Sequence, residues 1–76
     1  LTSKRISVEL HGGWSCSFHV QQTASGDYSG LAEIALDGLR LGEVVIMQQP
    51  SLEAAIARAR LRSGHFVSSR MPVAVA

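Results

Sequence analysis

The sequence predicts an α+β domain: a three- or four-stranded antiparallel sheet with one C-terminal helix packed on one face. Three observations point there. The first half of the chain alternates apolar and polar side chains at period two. Glycine-containing dipeptides suited to tight hairpins separate those runs. Only the stretch from Ser51 to Arg62 carries sustained helical periodicity.

The first strand is expected where Ile6, Val8 and Leu10 alternate with Ser7, Glu9 and His11, followed by the turn pair Gly12-Gly13. The second and clearest strand sets Trp14, Cys16, Phe18 and Val20 against Ser15, Ser17, His19 and Gln21. Thr23 to Asp27, TASGD, is a turn by composition. Tyr28, Gly30, Ala32, Ile34 and Leu36 form a third strand, with Gly30 marking a bulge or a close crossing. Asp37-Gly38 is another hairpin signal. Residues 39–47 read as one strand or two, because Gly42-Glu43 interrupts the run. Val44 to Met47 is four apolar residues in a row, which suits a strand covered on both faces or an edge near the helix.

The helix starts at Ser51, whose hydroxyl can cap the open backbone donors of a first turn. Glu53 lies in that first turn and Arg58, Arg60 and Arg62 toward the far end, as the helix dipole favours. Gly64 is the expected C-cap. At about 100° per residue, Leu52, Ala55, Ile56 and Ala59 share the face that lies on the sheet. Phe66 closes the core from a last helical turn or a short terminal strand. The expected core is Trp14, Cys16, Phe18, Val20, Ile34, Leu36, Leu52, Ile56 and Phe66. One domain spans residues 5–68, with frayed tails at 1–4 and 71–76.

Seventy-six residues hold at most one domain, and a chain this short buries only about 60–65% of its extended surface. Cys16 is the only cysteine, so no internal disulfide and no cysteine-rich metal site can form. No run has transmembrane length and no signal peptide is visible, which leads to the expectation of a cytoplasmic protein. The formal charge of +1 is unevenly spread, since no acidic residue follows Glu53.

No catalytic constellation stands out. There is no H-E-x-x-H, no Cys-x-x-Cys and no phosphate loop. GDYSG lacks the spacing of a serine elbow. His11 and His19 lie on the same outer sheet face without a third ligand near in sequence, and His65 suits a helix C-terminus. No enzyme activity, cofactor, metal or small-molecule substrate is expected.

Two surfaces remain. Ala54, Ala57 and Leu61 form a second apolar face on the helix, beyond the one stripe a helix needs against a sheet. Together with Val45 and Met47 they are candidates for a homodimer or protein-partner interface. Arg58, Arg62 and Arg70 are candidates for phosphate contacts if the partner is a nucleic acid, the alternative reading. The exposed sheet face lacks the aromatic pair of an RNA-recognition sheet.

Successive hairpins running into PSLEAAIARARLRSG resemble the small β-β-β-α domains of the HicB-like group, a partial double-stranded-RNA-binding fold. They are also similar to uncharacterised stand-alone bacterial domains. The match covers roughly Ile6 to Phe66 and rests on Ser51, Glu53 and Ala54 within MQQPSLEAAI. It implies an antitoxin that binds a small toxin and often dimerises, and it assigns no catalytic or binding residue. The functional expectation is a small, non-catalytic, self-associating protein-interaction domain.

Overall fold

Each alternating run forms a strand and the helical run forms a helix. The computed structural model describes residues 3–70. In chain order these are β1 (Ser3–Glu9), β2 (Trp14–Gln22), β3 (Tyr28–Leu36), β4 (Leu39–Gln49) and α1 (Leu52–Arg70). The sheet is an antiparallel meander in the order β1-β2-β3-β4. Short hairpins permit no other simple order. α1 lies across one face, chiefly against β4 and also against β2 and β3.

The turns follow local chemistry. Gly12 and Gly13 both have positive φ, and the loop closes with Leu10 N–H donating to the Trp14 carbonyl at 3.1 Å. Asp37 (φ 50°) and Gly38 (φ 86°) form a two-residue hairpin between Leu36 and Leu39, the left-handed pair that a tight primed turn requires. The Ser51 hydroxyl accepts from the Ala54 N–H at 3.1 Å and caps α1 as expected.

Register fixes the two faces. On the helix side, Val8, Cys16, Ile34 and Gly42 form one cross-strand row, and Ile6, Phe18, Ala32 and Val44 the next. Large and small side chains alternate, so Phe18 fills the space beside Ala32 and Gly30. Ala55, Ala59 and Ser63 are completely buried in α1. Their small size lets the helix approach the sheet closely.

Several expectations are corrected. β1 starts at Ser3, so Ser3 and Lys4 belong to the sheet and not to a frayed end. The helix runs on to Arg70, and Gly64 is an interior residue instead of a C-cap. A mid-helix glycine costs about 1 kcal/mol. Burial of Val67 and packing of Phe66 on the sheet, beyond Gly64, outweigh that. His65 consequently lies inside the helix, not at its end. Residues 39–47 form one continuous strand. Of the two readings of Val44 to Met47, the edge near the helix holds and cover on both faces does not: Val44 and Ile46 are buried, whereas Val45 and Met47 point outward. Of the expected core, Leu36, Leu52, Ile56 and Phe66 are only partly buried, and Val8, Ala32, Val44, Ile46, Ala55, Ala59 and Val67 join it. The expected tail at 71–76 lies outside the described residues. No described helix is long and apolar enough to cross a membrane.

Candidate functional site

With α1 on one face, the other face of the sheet is open. Its rows are set by the same register. Ser7, Ser17, Glu33 and Glu43 form one, and Arg5, His19, Leu31 and Val45 the next. On this face the Arg40 guanidinium donates to Glu33 Oε2 at 2.7 Å and reaches Glu43 Oε2 at 3.5 Å. His19 Nε2 lies 3.1 Å from Glu33 Oε1. Arg40 first, then His19, holds the Glu33 carboxyl below its ordinary pKa by hydrogen bonding. Arg5 Nε donates to Ser17 Oγ at 2.9 Å. These groups satisfy one another across strands, as paired polar residues on a wet sheet face do.

Beside this polar ladder the face turns apolar. Val45 is paired with Leu31, and Met47 follows on the same side. They line a shallow open depression with His19, Gln21 and Ser29. The exposed large apolar residues are Leu39 (68%), Leu41 (39%), Val45 (55%), Met47 (69%) and Leu61 (51%). Four of the five lie on β4.

β4 is also an edge. It pairs with β3, and among the described residues no strand pairs with its other side. The opposite edge, β1, has seven residues and carries Lys4, Arg5 and Glu9, charges that discourage added strands. β4 has eleven residues and no charge from Val44 to Gln49. Two register shifts in its pairing with β3, one near each end, leave the stretch from Glu43 to Ile46 regular.

A second depression runs along β4 on the helix side. Glu43, Val44 and Val45 form one wall, and Arg62, His65, Phe66 and Ser69 the other. No β3 residue lines it, so it lies at the free side of β4. Arg62 and His65 are exposed. Among the described residues, neither pairs with a carboxylate.

The predicted residues are thus divided. Val45 and Met47 share the open face of β4. Ala54 is half-buried, and Ala57 and Leu61 are exposed on α1, a different element from the β4 pair. Arg58 and Arg62 are one turn apart on the same side of α1. Arg70 is turned over the Phe66 ring, 4.7 Å from its centroid. His11 and His19 do not combine: His11 lies in the first hairpin loop, and His19 is engaged with Glu33. Among the described residues no three His, Cys, Asp or Glu side chains are grouped as metal ligands.

Sequence reasoning missed Leu39 and Leu41 as surface residues, and missed the link between Glu33 and Arg40. Counting back from the two-residue turn at Asp37-Gly38 would have paired Leu36 with Leu39 and brought Glu33 near Arg40. The register shift at Ile34/Ala35, which also brings Glu43 opposite Glu33, has no such signal.

Cys16 is buried, and the Ser63 hydroxyl donates to its sulfur at 3.3 Å. Burial raises the thiol pKa, and the bond from Ser63 partly offsets this. That environment suits an inert packing thiol.

Comparison with known proteins returned no match to a family model, a curated protein or a solved structure.

Proposed function

We propose that this chain is a small non-catalytic protein-interaction domain that docks through the free edge of β4, to a second copy of itself or to an extended segment of another protein. One observation carries the reading: the exposed large apolar side chains are concentrated on a long, sparsely charged edge strand. An unpaired edge offers a row of backbone donors and acceptors to an incoming strand. Apolar side chains beside that edge add contact area, so main-chain bonds supply affinity and side chains supply selection.

The test uses the full chain and a Val45→Glu, Met47→Glu double variant. Both positions are exposed, so the variant is expected to fold. Sedimentation equilibrium at micromolar concentration reads self-association. Selection from a displayed library of random extended peptides reads binding of a foreign strand. The reading expects the wild type to dimerise or to enrich a peptide family, and the double variant to lose that behaviour. A wild type that remains near 8.1 kDa and enriches no peptide above the double variant overturns it.

A further inference from the structure

The helix-side depression along β4 narrows the choice of occupant. A strand added to β4 places alternate side chains on the two faces of the extended sheet. Those on the open face meet Val45 and Met47. Those on the other face enter the depression and meet Arg62, His65, Phe66 and Ser69. Arg58 lies one turn before Arg62, and Arg70 sits over Phe66 at the end of the same helix. After Glu53, α1 has no acidic residue. The carboxylate in the depression's lining is Glu43, which Arg40 approaches from the open face. The helix wall is therefore rich in cationic and neutral donors, while the open face beside this stretch of β4 presents Val45 and Met47.

Resting on the strand-addition reading, we infer that the occupant of β4 is an extended segment of a second protein, with acidic side chains facing the helix and apolar side chains facing the open sheet. Arg62 offers a guanidinium fork that matches a carboxylate, and His65 a ring N–H donor beside it. A second copy of β4 fits this position poorly. Its helix-facing residues, Val44 and Ile46, are already buried beneath its own helix. A twofold axis through the joined edges would also turn the Arg58 and Arg62 sides of two cationic helices toward one another. Like charges so placed disfavour the pairing.

The experiment measures fluorescence polarisation of labelled peptides of roughly ten residues, the length of a strand. One probe alternates valine with glutamate, a second replaces each glutamate with glutamine, and a third with lysine. The glutamate probe is expected to bind about tenfold more tightly than the glutamine probe at low ionic strength, as a partly exposed Arg62–carboxylate pair and a His65 N–H bond to a carboxylate would together give. The lysine probe is expected to bind most weakly. Added salt should narrow the differences, and an Arg62→Gln, His65→Gln variant should abolish them while retaining wild-type Trp14 emission. Equal binding of the glutamate and glutamine probes overturns the acidic preference and leaves strand addition intact. A dimer in sedimentation that the glutamate probe does not dissociate makes the second copy the occupant and overturns the inference. Displacement of the probe by duplex or single-stranded RNA at comparable concentration assigns the cationic helix wall to nucleic acid and likewise overturns it. No binding of any probe together with a monomeric protein defeats both the inference and the reading beneath it.

Discussion

The ring of Phe66 lies over Gly42, in the space that a side chain on that glycine would need. The same ring makes an edge contact with Trp14, at 6.4 Å between centroids and 76° between planes. A glycine in a strand normally weakens it. Here it admits an aromatic ring from the helix and ties the last turns of α1 to β4 and β2.

Gly42→Ala should therefore destabilise the fold, although alanine has the better strand propensity. The expected loss is about 1–3 kcal/mol, the usual cost of overpacking. Urea unfolding followed by Trp14 emission measures it. In a Phe66→Ala background the same change should cost much less, because the clashing ring is gone; equal costs in the two backgrounds would refute the contact.

Gly64→Ala should stabilise the protein by about 0.5–1 kcal/mol. Gly64 is interior to α1, lacks positive φ, and a Cβ there would meet nothing within 4 Å. Chemical denaturation of the variant decides the point. A loss of stability would mean that the helix breaks at Gly64 in solution.

Cys16 should be protected from thiol reagents in the native state. Its modification by an aromatic disulfide should be slower than in denaturant by about a hundredfold or more, since attack requires opening of the packed core. Ser63→Ala should leave that protection in place, because the thiol is shielded by the surrounding core and the Ser63 bond lowers its pKa, so losing the bond does not favour the thiolate. Fast labelling of the folded wild type would contradict a buried position for this thiol.

Glu33 should make acid stability depend on Arg40. Its folded-state pKa lies below the unfolded value, so its contribution is fully present above the unfolded pKa and disappears as pH falls through the folded one. The stability difference between the wild type and Glu33→Gln should be flat near neutral pH. It should shrink below the ordinary glutamate value of about pH 4.3. Carboxylate titration by NMR should show the Glu33 midpoint moving up in Arg40→Gln. An unchanged midpoint would remove the cross-strand pair from the account.

What the sequence alone determined is local. Alternation placed Cys16, Phe18 and Val20 on one face because side chains in a strand alternate with a period of two. Asp37-Gly38 specified its hairpin because those residues tolerate left-handed backbone, and Ser51 specified the helix start through its hydroxyl. Tertiary structure decided the rest. Gly64 was a plausible stop until Phe66 and Val67 found the sheet beyond it, and packing prevailed over a weak propensity. Val44 to Met47 could not be divided into buried and exposed residues by hydropathy, because all four are apolar. Only docking of α1 on one face, with β4 as an edge, separated Val44 and Ile46 from Val45 and Met47. The approach of Arg62 and His65 to β4 was illegible for the same reason: it joins residues about twenty positions apart, and that juxtaposition follows from how the helix crosses the sheet, which no local periodicity encodes.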